Sequence, residues 1–92
     1  GISPGYVLPA RELLGDMLLE LEMNEEALAA YEATLAHSPG RLNSLYGMGL
    51  ALEGMGETDR AADVYEQIIA MTAEAGNARP WLSYVKAVAS SQ

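Results

Sequence analysis

Residues 14–31 read LGDMLLELEMNEEALAAY, and residues 48–65 read MGLALEGMGETDRAADVY. Aligned, the two stretches place Leu14 and Gly15 on Met48 and Gly49, Leu18 on Leu52, Ala27 on Ala61, and Tyr31 on Tyr65. Each pair is 34 residues apart. A fixed period of that length is one helix–turn–helix unit used twice, each unit burying part of its apolar face on its neighbour.

Working outward, Leu13, Leu14, Met17, Leu18 and Leu21 recur at helical steps and are expected to form one broad apolar core face. Gly15 within that helix costs about 1 kcal/mol against Ala, so it marks a close approach of helices. Met23-Asn24 is expected to close this helix, with Asn24 capping the next and Glu25 and Glu26 favouring its first turn. The second helix carries Ala27, Leu28, Tyr31 and Leu35 and ends near His37, before the Ser38-Pro39-Gly40 break. Leu42, Leu45, Met48, Gly49 and Leu52 then define a third helix ending at Gly54-Met55-Gly56. A fourth begins at Glu57 or Thr58, the latter the better cap, and is expected to continue to about Ala75. Its buried stripe is Ala61, Val64, Tyr65, Ile68 and Ile69. Gly76-Asn77 is a stop signal. A last helix is expected from Trp81 to about Ala89, burying Trp81, Leu82, Tyr84, Val85 and Val88. Pro9 suits a helix's first turn, whereas residues 1–8 show no helical period and read as an extended lead-in or linker remnant.

The chain of 92 residues makes one small domain, with half its residues hydrophobic. Thirteen carboxylates against five basic residues give a net charge of -8. Neither a nucleic-acid surface nor adsorption to anionic lipid fits that balance, since both need clustered Lys and Arg. No apolar run reaches the roughly 18 residues of a membrane span. Nor does the start combine a charged region with an apolar core, as a signal peptide does. Without an initiator Met, the chain is expected to be cut from something longer or processed. The absence of cysteine excludes disulfides and thiolate chemistry and leaves the compartment open, with the cytoplasm favoured.

These residues resemble the tetratricopeptide repeat (TPR) family, whose pattern sets a bulky residue, Leu-Gly and Tyr on the first helix. Its second helix shows Ala, an aromatic and Ala, with Pro at the join. Leu14, Gly15, Ala27, Tyr31 and Pro39 fill these places in the first unit, with Arg11 in the bulky place, Leu18 for Tyr and Thr34 for the second Ala. In the second unit Leu45, Met48, Gly49, Ala61 and Tyr65 match, while Leu52 and Ile68 substitute and the expected Pro falls at Ala73. The resemblance covers about residues 8–75 and implies an all-α fold: a right-handed superhelical stack of two helix–turn–helix hairpins plus one capping helix. On that reading repeat one is about 8–41, repeat two about 42–75, the cap about 80–89, and residues 90–92 a frayed tail.

The resemblance also implies a peptide groove lined by the first helix of each repeat. By position its candidates are Glu12, Asp16, Leu19, Glu20, Asn43, Tyr46, Leu50 and Glu53. Some family members clamp a terminal carboxylate with Lys, Asn and Arg at such places; here Asn43 alone survives, and Glu12 and Asp16 have the wrong sign. Acids beside Tyr46 and Leu50 instead suit a basic, partly apolar protein segment. The same acids can equally be a solvated face. The expected partner is thus a protein or peptide, with no nucleic acid and no membrane. The alternative is a structural or self-assembly segment of a longer repeat protein, or a homo-oligomer, with no free ligand groove. The lead-in around Tyr6, Val7 and Leu8 could fill that groove. Trp81 either anchors the cap or contacts a partner.

No catalytic site, metal site or cofactor is expected. His37 stands alone near a helix end, where its charge suits the dipole. Glu22, Glu25 and Glu26 lack the glycine-containing spacing of a calcium loop. Met17 and Met48 are expected as core filling, and the five Met residues are too scattered for a copper motif. Ser44, Ser83 and Thr34 occupy no nucleophile elbow, and Gly47-Met48-Gly49 follows no strand, as a phosphate loop would.

Overall fold

A computed structural model describes residues 10–73 and 79–91. It contains five α-helices: α1 (Ala10–Glu20), α2 (Asn24–His37), α3 (Leu42–Gly54), α4 (Thr58–Thr72) and α5 (Leu82–Ser90). No strand occurs among the described residues. Each helix packs on the next, and α1 also touches α3. The expected lead-in with Tyr6, Val7 and Leu8, the Pro9 start, the α4 extension through Ala75 and the Gly76-Asn77 stop involve residues outside those described.

Two hairpins follow from two near-identical turns. After α1, Glu22 takes a left-handed φ of 58°, its N–H bonds the Leu19 carbonyl at 3.0 Å, and the Met23 N–H bonds the Leu18 carbonyl at 2.9 Å. After α3, Gly56 has φ 79°, with Gly56 N–H to Glu53 O at 3.0 Å and Glu57 N–H to Leu52 O at 2.9 Å. Both are the paired bonds that satisfy the last carbonyls of a helix. The repeat is therefore kept in the turns, except that Glu22 occupies a conformation that glycine adopts without strain. The caps differ from expectation. Met23 and Glu57 hold the cap positions, so Asn24 and Thr58 fall one residue inside their helices, and neither cap makes a side-chain hydrogen bond.

Two tyrosines fix the spacing of the stack. Tyr31 and Tyr65 are wholly buried, in a cluster with Ala27, Leu28, Leu45, Ala51, Leu52, Ala61, Val64, Ile68 and Val85. The Tyr31 ring lies against Gly15 on α1 and Gly47 on α3; a Cβ on Gly15 would sit 2.8 Å from it, and one on Gly47 would overlap it. Gly49 makes the same room for Tyr65. Each ring thus uses glycine as the slot for its bulk, which accounts for the Gly15–Gly49 period.

The apolar face expected on α1 is not buried. Leu13, Leu14, Met17 and Leu21 are 47, 48, 62 and 66% exposed, and the buried residues of α1 are Glu12 and Gly15. Hydrophobic period shows which side of a helix is apolar, but a burying neighbour must also exist. Met17 is accordingly no core filler, whereas Met48 packs on the core. On α5, Val85 is buried as expected, but Tyr84 is 43% exposed.

Candidate binding groove

The inner sides of α1 and α3 face a cavity of about 290 Å³. From α1 come Glu12, Asp16 and Leu19; from α3, Asn43, Tyr46, Gly47 and Leu50; Tyr31 and Trp81 complete it. Glu12, Asp16 and Leu19 stand four and three residues apart, which helical geometry puts on one face. The same spacing groups Asn43, Tyr46, Gly47 and Leu50.

Glu12 forms the floor. Only 3% exposed, it accepts hydrogen bonds from Arg41 Nε at 2.8 Å, Arg41 Nη2 at 3.0 Å and Ser44 Oγ at 2.5 Å. Burial opposes its ionisation, but the Arg41 and Ser44 hydrogen bonds together with the Arg41 charge outweigh it and hold the carboxyl below its ordinary value. Its charge is thereby neutralised within the chain, and Ser44 is committed to the same carboxylate. Asp16 is the exposed acid of the cavity, and accepts the Tyr31 hydroxyl at 2.5 Å. Burial, then that carboxylate, push the Tyr31 phenol well above its usual range.

One wall is aromatic. Tyr46 and Trp81 stack with centroids 4.4 Å apart and planes inclined by 5°, the Arg79 guanidinium lies 5.9 Å from the indole centroid, and Arg79 Nη1 donates to Asn43 Oδ1 at 3.5 Å. Trp81 is half-buried, so it joins α5 to the groove and offers an edge to it.

Six of the eight residues proposed from repeat position line this cavity; Glu20 and Glu53 do not. Glu20 lies exposed at the end of α1. Glu53 accepts the Tyr65 hydroxyl at 2.5 Å and the Tyr84 hydroxyl at 2.8 and 2.9 Å. Burial, then Glu53, raise the pKa of Tyr84 to about 12 and that of Tyr65 further still. Repeat position overlooked Trp81, Arg41 and Ser44. Trp81 lies beyond the two repeats, so repeat position does not reach it, and the pairing of Arg41 with Glu12 leaves no signal in the sequence.

Among the described residues, no group of three or more His, Asp or Glu is placed to hold a metal ion. His37 is exposed in the last turn of α2. No helix among them is long and apolar enough to cross a membrane.

Residues 43–71, which span most of α3 and nearly all of α4, match the tetratricopeptide repeat family. The fold is TPR-like. TPR domains generally mediate protein–protein interactions and are typically non-catalytic, and the match supports an interaction module in general. Comparison with curated proteins and with solved structures found no match to the chain.

Proposed function

We propose that the groove between α1 and α3 binds a protein segment that presents a basic group beside an apolar side chain. What carries this reading is the Asp16 carboxylate standing in one cavity with Leu19, Leu50 and the Tyr46–Trp81 stack. Asp16 supplies the accessible charge, because Glu12 is already paired with Arg41. The stack and the two leucines supply flat and aliphatic surface, to which a lysine or arginine stem lies as well as an apolar residue. Glu20 and Glu53 add to the acidic field outside the cavity, raising the encounter rate more than the affinity.

Trp81 is the only tryptophan and reports on the groove directly. A short peptide alternating lysine and leucine is titrated while Trp81 emission is followed, alongside a peptide with glutamate for lysine. The lysine peptide shifts the emission, the glutamate peptide does not, and Asp16→Asn weakens the first by about tenfold. Emission unmoved by the lysine peptide at about 1 mM counts against the groove. The observation that favours a structural role instead is that Trp81 already stacks on Tyr46. On that reading Trp81→Ala, followed by calorimetry, creates peptide binding that the parent chain lacks.

A further inference from the structure

On the α1–α2 side of the molecule, away from the groove, an apolar surface has no helix packed over it among the described residues. Ala10, Leu14, Met17 and Leu21 are all exposed, at successive steps of four, three and four residues. That is the spacing of a coiled-coil seam. It borders a groove of about 490 Å³ between α1 and α2, floored by Leu14, Leu18, Ala29, Ala30 and Ala33. Surface of this kind on a small domain marks a contact.

Repeat register shows what kind of element fits. Thirty-four residues on, α3 packs against α2, with Gly47 against the Tyr31 ring and Ala51, four residues on, wholly buried. A helix is therefore what covers this face of the repeat. On α1 those two places hold Leu13 and Met17. Leu13 fills the slot that admits the Tyr31 ring at Gly47, so a helix like α2 cannot seat here. A helix meeting this face has to bring interdigitating leucine- and methionine-sized side chains, which α1 itself does.

The charges select the occupant. Arg11 and Glu26 both line the groove. Arg11 lies in the first turn of α1, beside the end of α2, where Ala10 and Arg11 share a hollow with His37 and Ser38. Glu26 lies in the first turn of α2, beside the end of α1. The groove therefore has a positive and a negative end with apolar surface between. A twofold axis crossing it midway between Leu14 and Met17 sets Leu14 against the partner's Met17 and Ala10 against the partner's Leu21. It also sets Arg11 against Glu26 of the partner subunit, twice. We propose that this face docks a second copy of the chain, α1 antiparallel to α1, with these two reciprocal ion pairs fixing the direction.

Sedimentation equilibrium of the 92-residue chain tests this, with helicity followed by circular dichroism. The parent chain is expected to dimerise, and Met17→Glu to be monomeric with unchanged helicity. Leu21→Lys, at a still more exposed position, repeats the test if the first variant fails to fold. Arg11→Glu raises the dissociation constant about tenfold, and Arg11→Glu combined with Glu26→Arg restores it. A parent chain monomeric to about 1 mM overturns the proposal, because the face is then covered by something else or by nothing. So does a dimer that survives both seam variants. A double charge variant no tighter than Arg11→Glu alone overturns the antiparallel arrangement.

Discussion

Replacing Arg41 by Met should damage this protein more than replacing Glu12 by Gln, although the two residues form one ion pair. The reason is unequal burial: the Glu12 side chain is 4% exposed and that of Arg41 29%. Without Glu12, the guanidinium swings into water and the loss is on the order of 1–2 kcal/mol. Without Arg41, a carboxylate stays on the floor of the groove with Ser44 as its remaining donor, at a cost of about 3–5 kcal/mol. Against the roughly 5–14 kcal/mol that 92 residues can hold, that is a large fraction. The two variants also separate with pH. In the parent chain the Glu12 pKa is depressed below 4.5, so its contribution is present above that pH and lost as pH falls through the folded-state value. In Arg41→Met burial is opposed only by the weaker effect of the Ser44 hydrogen bond, and raises the folded-state value above the unfolded one. Protonation then relieves the penalty, and the gap between parent and variant narrows as pH falls. Urea denaturation of both variants between pH 7 and about pH 4 measures this, with the slope checked for two-state behaviour. An Arg41→Met penalty no larger than that of Glu12→Gln, or one that does not shrink in acid, would refute a buried, charge-paired Glu12.

Gly47→Ala should cost about 1–3 kcal/mol in urea, since its Cβ overlaps the fully buried Tyr31 ring. Glu22→Gly should raise the melting temperature and Gly56→Ala lower it, each by about 1 kcal/mol in equivalent stability, because both sites need a left-handed backbone. Tyr31→Ala or Tyr65→Ala should each remove about 3–5 kcal/mol, and unmoved denaturation midpoints would contradict the packing described. Both phenols have folded-state pKa values raised above 10.0, so their contribution is complete below pH 10 and falls as pH rises beyond it. Replacing both by Phe should flatten that alkaline decline in a melt-versus-pH series.

The parts legible in the sequence were those set by spacing. Gly15, Gly49, Tyr31 and Tyr65 carry the 34-residue period because a ring and its slot must stay in register, and the helices follow from the apolar steps between them. The stripe on α1 misled because Leu14, Met17 and Leu21 have the right period for burial but no described helix over them. Glu12 read as a groove acid because its partners, Arg41 and Ser44, come from 29 and 32 residues away and leave no local trace. Capping propensity favoured Asn24 and Thr58, yet the preceding turns place Met23 and Glu57 at the caps, and tertiary packing outweighs the cap's contribution. The aromatic wall was half legible: Tyr46 followed from repeat position, but the stack with Trp81 depends on how α5 returns across α3.

Tyr31 touches glycines from both hairpins, and this governs how the molecule comes apart. If α1 peels away, the ring loses one side of its slot and exposes apolar surface belonging equally to the second hairpin. The two hairpins therefore melt as one cooperative unit, and amides of α1, α2 and α3 share a single protection against hydrogen exchange. The fifth helix is not riveted in this way: it packs on α4 and reaches α3 through the Tyr46–Trp81 stack and the bond from the Tyr84 hydroxyl to Glu53. Its amides exchange first, and each such opening parts Trp81 from Tyr46 and so takes apart the aromatic wall of the groove without unfolding the rest.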